Sequence, residues 1–238
     1  MSQFYSLSQN ELSIIMGGLL GDSSYCKKDN YICFVHSIKQ LEYLEWKHNM
    51  LGDIANPIHQ RANGKSIIDG SDLITTYFST KTNSKLISDY KEIKKIIFNE
   101  NGAKTVNRKW LNLLTPLSLA IWWMDDGCLS VYKKKTGETS RYGKLCTHCF
   151  SLQEQTIIKQ YFKVVWDIDV KITPEKSYYF LRFTVPNLKK LFSIISPYVF
   201  EIPSMLYKIN MKYNIDTIKN DEYKDIQLRI YNILDNNI

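Results

Sequence analysis

Two apolar segments stand out in the pattern of hydrophobic and polar positions along the chain. They occupy residues 15–23 and 119–127 and are apolar on every side, which predicts two buried helices rather than amphipathic surface helices. Each segment closes on an acidic residue, Asp22 in one and Asp126 in the other, at a separation of 126 − 22 = 104 positions. The chain therefore carries an internal repeat that places one carboxylate at the end of each buried helix.

Both predicted helices have clear start signals. Ser8 followed by Glu11 has the spacing of a capping box, in which side chain and backbone satisfy each other's hydrogen bonds. Thr115 followed by Pro116 is typical of an N-cap and a first helical position. From these starts to the acids there is room for about three to four helical turns.

The pattern after each acid is the same in both halves. Alternating segments and polar turns predict a hairpin, a helix that opens at Ser37 or Ser151, a second hairpin and a closing helix. The first hairpin of the second half is predicted to turn over residues 133–143 and to return over 145–150. Further strands are predicted at residues 57–62, 66–69, 73–80, 170–173 and 178–184, and closing helices at 86–98 and 188–195.

This plan predicts an α+β fold, a pseudo-twofold duplication of a helix–hairpin–helix–hairpin–helix unit. We expect the first repeat at residues 1–104, the second at 105–213, and a C-terminal helical extension at 214–238 with a helix around 223–234. No segment rich in Pro, Gly and Ser separates the halves, which favours one compact body.

The placement of the two acids suggests a cation. A carboxylate at a helix C-terminus lies at the negative end of the helix dipole, and two such carboxylates packed together repel each other. A hard divalent cation with oxygen ligands would relieve both penalties. The alternative is that Asp22 and Asp126 are ordinary polar residues at helix ends, and the match between the two segments favours the cation.

The two segments resemble the LAGLIDADG motif of homing endonucleases, in the single-chain form that carries two motifs. The metal-binding acid of that motif falls on Asp22 and Asp126, and the second copy is a close match. The first copy departs from the pattern, because Leu20 replaces the first Asp and Ser23 replaces the final Gly. Neither departure removes the metal-binding carboxylate.

The resemblance also implies a lysine at the end of each repeat, near the catalytic waters. Lys104, within residues 103–106, and Lys208, within residues 202–208, match that lysine by position. In this family two antiparallel sheets form a saddle over DNA. The resemblance thus implies a site-specific endonuclease that hydrolyses both strands of a long asymmetric duplex, and the alternative is an RNA maturase or a catalytically inactive relative.

The same resemblance implies the cofactor. Asp22 and Asp126 would hold two or more Mg²⁺ ions, helped by the main-chain carbonyls of Gly21 and Asp125. Mn²⁺ could substitute, and Ca²⁺ is expected to support binding without efficient cleavage, because its coordination is longer and looser. Lys104 and Lys208 would polarise the water network or stabilise charge on the scissile phosphates.

Charge is compatible with a DNA partner but does not require one. The 238 residues include 31 basic and 24 acidic side chains, a net charge of +7. Predicted strands and turns carry basic residues that we expect to contact DNA, although any one of them could be ordinary solvated surface. These residues are Lys27, Lys28, Arg61, Lys65, Lys81, Lys133, Lys134, Lys135, Arg141, Lys144, Lys171 and Arg182, and Gln60, Asn63 and Thr76 also have suitable chemistry.

The remaining features bear on the compartment. No apolar stretch reaches the roughly 18–20 residues needed to span a bilayer, and no signal-peptide pattern is present. Five cysteines, an odd number, favour a reducing compartment over a disulfide framework. We therefore expect a soluble intracellular monomer, in a bacterial cytoplasm or an organelle matrix, with no membrane and no protein partner. A zinc site at residues 146–149 is disfavoured, because no second ligand pair lies in the same repeat.

Overall fold

Each half of the chain builds a four-stranded antiparallel sheet with helices packed on one face. The computed structural model describes residues 4–214, 218 and 222–235. The chain divides into a first unit, residues 1–104, and a second unit, residues 105–238.

The described part of the first unit, from residue 4 onward, contains three α-helices, two short 3₁₀ helices and four strands. Their sheet order is β1-β2-β4-β3, and every neighbouring pair is antiparallel. The elements are α1 (Gln9–Leu20), β1 (Ser24–Cys26), β2 (Tyr31–Ser37), α2 (Leu41–Leu51), β3 (His59–Lys65), β4 (Asp72–Ser79) and α3 (Ser84–Ile97).

The second unit repeats this plan, with sheet order β5-β6-β8-β7. Its elements are α4 (Arg108–Leu111), α5 (Pro116–Asp126), β5 (Gly127–Lys133), β6 (Thr139–Leu145), α6 (Leu152–Trp166), β7 (Lys171–Glu175), β8 (Tyr178–Phe183), α7 (Val185–Val199), a 3₁₀ segment (Pro203–Lys208) and α8 (Glu222–Asp235). The same order of elements and strands in both units confirms the predicted duplication and the α+β class. α8 lies where the sequence predicts a helix around residues 223–234.

The two buried helices form as predicted and begin at the predicted caps. Ser8 and Glu11 make both hydrogen bonds of a capping box at the start of α1. Thr115 caps α5, with Pro116 in the first helical position. Residues 12–20 of α1 and 117–124 of α5 are all buried, so each helix is a core element of its own unit.

Two predicted strands are wrong. In the second unit the returning strand is β6 (Thr139–Leu145), because a tight turn closed by Lys134 and Glu138 lets the hairpin start earlier. Residues 146–150 form a turn instead, in which Phe150 is buried without belonging to a strand. In the first unit residues 66–69 lie in the turn between β3 and β4. Apolar residues in a turn imitate a strand pattern whether they are buried, as Phe150 is, or exposed, as Ile67 and Ile68 are, and only pairing distinguishes them from a strand.

The residue that follows each acid is Gly127 in the second unit and Ser23 in the first, and the packing around it differs accordingly. At Gly127 an added Cβ would lie 2.4 Å from the main-chain oxygen of Trp123, so only glycine fits. Ser23 occupies the matching position of the first unit, where it is buried. Its hydroxyl lies only 2.6 Å from where a Cβ on Gly18 would be. Gly18 therefore makes the room that Ser23 needs, and the departure from the motif is accommodated locally.

Among the helices of the described residues, none is both long enough and apolar enough to cross a bilayer.

Candidate active site and nucleic-acid interface

Each acid lies at the C-terminal end of the buried helix of its own unit. α1 ends at Leu20, and Asp22 follows with a side chain that is 44% exposed. Asp126 is the last residue of α5 and is half-buried. The structure therefore delivers one solvent-accessible carboxylate per unit from a rigid, buried support.

His36, which the sequence analysis did not assign to the site, lies beside Asp22, and Lys47, also not assigned, contacts His36. His36 Nδ1 is 3.8 Å from Asp22 Oδ2, and His36 Nε2 is 3.0 Å from Lys47 Nζ. His36 projects from β2 on the helix side of the sheet, and Lys47 projects from α2. Both are buried, at 4% and 0% exposure. The one available signal was His36 itself, which follows the core residues Ile32 and Phe34 at a spacing of two and so shares their face of β2.

The two candidate lysines reach the same helix ends as the acids. Lys104 Nζ donates to the main-chain oxygen of Leu19 at 3.0 Å. Lys208 Nζ donates to the main-chain oxygens of Gly127 and Asp125 at 2.8 and 3.3 Å. A cation at a helix C-terminus is favoured by the helix dipole. Each unit therefore brings an acid and a lysine together at one helix end.

The donor atoms at these helix ends fit a hard divalent cation. Each unit offers a carboxylate and neighbouring main-chain carbonyls, which are the oxygen ligands that Mg²⁺ prefers. In the second unit the Asp125 carbonyl already accepts from Lys208, but a carbonyl oxygen has a second lone pair for an ion. Thiolate ligands, which would favour a softer metal, do not belong to either set.

The sheet of each unit has one face that its helices leave uncovered, which we call the open face. In the first unit Ile32, Phe34 and Phe78 point to the helices and are fully buried. The residues of β2 and β4 that alternate with these three point the other way, onto the open face. Their directly paired partners on neighbouring strands lie on the same open face. The open face of the first unit is formed by Ser24, Cys26, Cys33, Val35, Ser37, His59, Arg61, Thr75 and Tyr77.

The open face of the second unit follows from the same argument. Leu145, Leu181 and Phe183 are buried against the helices. The opposite side of the sheet is largely polar and carries three basic residues. This open face is formed by Cys128, Ser130, Tyr132, Ser140, Tyr142, Lys144, Lys171, Thr173, Glu175, Tyr178, Phe180 and Arg182.

Residues 12–191 match the model of the LAGLIDADG DNA endonuclease family, a range that includes both buried helices and both sheets. The chain belongs to this family. The LAGLIDADG assignment made from the two motifs is thus confirmed, and the family model covers Asp22 and Asp126 together with Lys104.

Two relatives match most of the chain. The chain is 30% identical over 213 residues to the cytochrome b mRNA maturase bI2 of Saccharomyces cerevisiae, which is 85% of this chain and 48% of the maturase. It is 28% identical over 219 residues to protein RecA of Mycolicibacterium chitae, which is 87% of this chain and 48% of that protein. The chain therefore spans about half the length of these two relatives.

A solved structure supports the fold. The homing endonuclease I-WcaI bound to its DNA recognition sequence is similar with a TM-score of 0.71 and 21% identity. The similarity covers 89% of this chain and 90% of I-WcaI. At that identity the likeness supports the LAGLIDADG fold of this chain.

Most of the basic residues expected to contact DNA lie at open-face or turn positions of the LAGLIDADG units. Arg61, Lys144, Lys171 and Arg182 lie on the open faces. The others are exposed in turns or at strand ends, namely Lys27, Lys28, Lys65, Lys81, Lys133, Lys134 and Lys135. Contact of any of these residues with DNA stays a prediction.

Besides Gln60, which pairs with Thr76 on the helix side of the first sheet, two predicted contact residues are placed differently. Arg141 pairs with Val131 on the helix side of the sheet, and its guanidinium donates to the main-chain oxygens of Met211 and Lys212. It also stacks on Tyr213, 4.0 Å from the ring centroid. Thr76 is buried and donates to the main-chain oxygen of His36. Neither side chain lies on an open face, because strand register decides the face and the sequence alone does not fix register.

An acid that the sequence analysis did not assign lies on the open face of the second unit. Glu175 Oε2 is 2.5 Å from Lys144 Nζ and 2.8 Å from His148 Nε2. The hydrogen bonds from Lys144 and His148 hold the pKa of Glu175 below its ordinary value. Glu175 is therefore an ionised acceptor among basic groups, and an ionised carboxylate can accept a hydrogen bond from the amino group of cytosine.

Proposed function

We propose that this LAGLIDADG protein is a site-specific, metal-dependent endonuclease that cuts both strands of a long asymmetric DNA duplex. One observation carries the proposal: each unit places a carboxylate and a lysine at the C-terminal end of one buried helix. Two equivalent sets of these groups suit a reaction that must be carried out twice, once on each strand.

The residues at the helix ends have separate roles in this proposal. Asp22 with the Gly21 carbonyl, and Asp126 with the Asp125 carbonyl, would hold the Mg²⁺ ions. When bound, such ions activate water and stabilise the leaving 3′ oxygen. Lys104 and Lys208 would stabilise charge that develops on the scissile phosphates, because main-chain oxygens hold the ammonium group of each lysine at a fixed position.

The open faces would supply most of the binding energy and the sequence preference. A β-ribbon fits the major groove, where Arg, Lys and Glu can read base edges. The two faces carry different side chains, Arg61 and His59 on one and Lys144, Lys171 and Arg182 on the other. We therefore propose that each repeat reads one half of an asymmetric target, and that a monomer suffices.

A second candidate function is RNA maturation. It is favoured by the 30% identity to the yeast protein named as a cytochrome b mRNA maturase. The two functions differ in substrate, so they can be separated by cleavage of duplex DNA on the one hand and stimulation of intron splicing on the other. Intact acids and lysines in both units favour the nuclease.

The proposal can be tested with a DNA duplex in which the sequences that flank the gene are joined directly, as they would be without the gene. We call it the restored duplex. We expect cleavage of both strands in Mg²⁺ or Mn²⁺, and binding without efficient cleavage in Ca²⁺. A shuffled duplex of the same composition is the control. If the protein binds the restored duplex but does not cut it in any metal, it would instead be a catalytically inactive, DNA-binding member of the family.

We also expect affinity for that duplex to fall steeply with salt. If six or more phosphates are neutralised, Kd should rise by about 10³-fold or more between 50 and 200 mM monovalent salt, because condensed counterions are released on binding. Lys171→Ala should reduce the slope of log K against log salt by about one. Lys163→Ala is the matched control, since Lys163 lies on α6, ion-paired with Asp167. Affinity that does not depend on salt would exclude the open faces as the DNA surface.

A further inference from the structure

A lysine is fully buried in the first unit, and the roles proposed above do not use it. Lys47 projects from α2 with 0% exposure. Its ammonium lies 4.1 Å from the ring centroid of Tyr43 and 5.9 Å from that of Phe34. Removing an ammonium group from water is costly, and aromatic faces replace only part of the lost hydration. A buried cation in this position therefore calls for a further interaction.

One such interaction is with His36, and it restricts where the imidazole carries its proton. Lys47 Nζ lies 3.0 Å from His36 Nε2. An ammonium group has three donors and no acceptor, so Nε2 must offer its lone pair. In a neutral imidazole the proton is then on Nδ1, the nitrogen that lies 3.8 Å from Asp22 Oδ2. The N–H group is thereby directed towards the carboxylate.

We infer that Lys47 fixes His36 in the Nδ1–H tautomer, and that His36 acts as a positioning residue for the Asp22 carboxylate. The imidazole is buried and the Tyr43 ring lies 5.0 Å from its centroid, which restricts rotation of the ring. At 3.8 Å the N–H group does not form a hydrogen bond with the carboxylate, but its dipole favours the Asp22 orientation that faces it, just as neighbouring polar groups orient the ligands of metal sites.

The second unit uses its equivalent helix differently. α6 buries Gln155, which bonds to the Thr147 hydroxyl, the Thr147 carbonyl and the Tyr179 carbonyl. Its fully buried polar side chain therefore holds the turn after β6. The Lys47–His36 pair makes the surroundings of Asp22 different from those of Asp126. The consequence for catalysis rests on the proposed nuclease function, whereas the tautomer does not.

The tautomer can be measured directly on the metal-free full chain. Protein labelled with ¹⁵N-histidine has four histidines, and the His36→Gln variant identifies the signals of His36. We expect the ¹⁵N shifts of a neutral ring protonated on Nδ1 in the wild-type protein and in Lys47→Arg. Lys47→Met should show a mixture of tautomers. A ring protonated on Nε2, a doubly protonated ring, or unchanged shifts in Lys47→Met would overturn the inference.

Cleavage provides the second readout. With the restored duplex in Mg²⁺, Lys47→Met should lower kcat about 10-fold or more for one strand and leave Kd in Ca²⁺ unchanged, and Lys47→Arg should restore the rate. Equal slowing of both strands, or a change in Kd alone, would overturn the positioning role. Thermal unfolding of both variants identifies any loss of folding. If the wild-type protein cuts no DNA, the proposed function fails while the NMR measurement still decides the tautomer.

Discussion

Asp22→Asn and Asp126→Asn should each abolish double-strand cleavage in Mg²⁺ while leaving target binding in Ca²⁺ largely intact. Asparagine keeps the shape of the side chain but removes the charge, and a neutral amide is a poor ligand for a hard divalent cation. Binding should survive because the basic residues of the open faces, Arg61, Lys144, Lys171 and Arg182, lie on strands rather than at the helix ends. A gel assay that separates nicked from linear product measures both activities on the same samples.

Asp53→Asn is a suitable control for these variants. Asp53 is exposed in a 3₁₀ turn of the first unit and lies on neither motif helix. The Asp53→Asn variant should therefore cut DNA at the wild-type rate. If Asp22→Asn or Asp126→Asn also cut at that rate, the residue concerned would have no part in metal binding.

Lys104→Met and Lys208→Met should slow cleavage without preventing it. Loss of one general catalyst or charge-stabilising group costs on the order of 10²–10⁴ in rate. Each lysine bonds to the helix end of its own unit, so each variant should slow one strand more than the other. Nicked intermediate should then accumulate, and labelling the two strands separately would show which cut is delayed.

The two lysines differ in how buried they are, so their variants need different controls. Lys208 is 9% exposed, and the Trp123 indole donates to its main-chain oxygen, so Lys208→Met needs a parallel measurement of unfolding. Lys104 is more accessible, and Lys109→Met on α4 is a matched exposed control. Equal slowing of both strands would mean that the lysines serve packing or phosphate contact rather than one reaction centre each.

The duplicated plan and the two buried helices could be predicted from the sequence because their signals are local. A capping box at Ser8 and an N-cap at Thr115 are defined within four residues, and a helix that is apolar on every side can only be buried. The same holds for the position of each acid, which follows its helix directly. These predictions needed no knowledge of the partner elements.

Strand pairing was less predictable, as the hairpin of the second unit shows. Residues 145–150 have an apolar pattern that suits a strand, yet β6 ends at Leu145. The tight turn at 134–138 sets the register, and Arg141 consequently points to the helix side. A shift of one residue in register moves every side chain to the opposite face, so a small error in a turn changes which residues can meet DNA.

The sequence by itself determined the duplicated α+β plan, the family, and the acids at the ends of the two motif helices. Only the tertiary structure decided what surrounds those acids. Lys47 and Asp22 are 47 − 22 = 25 positions apart, and His36 joins them only because α2 packs on the helix side of β2. Such contacts depend on both strand register and helix packing, and neither can be predicted from a local pattern of residues.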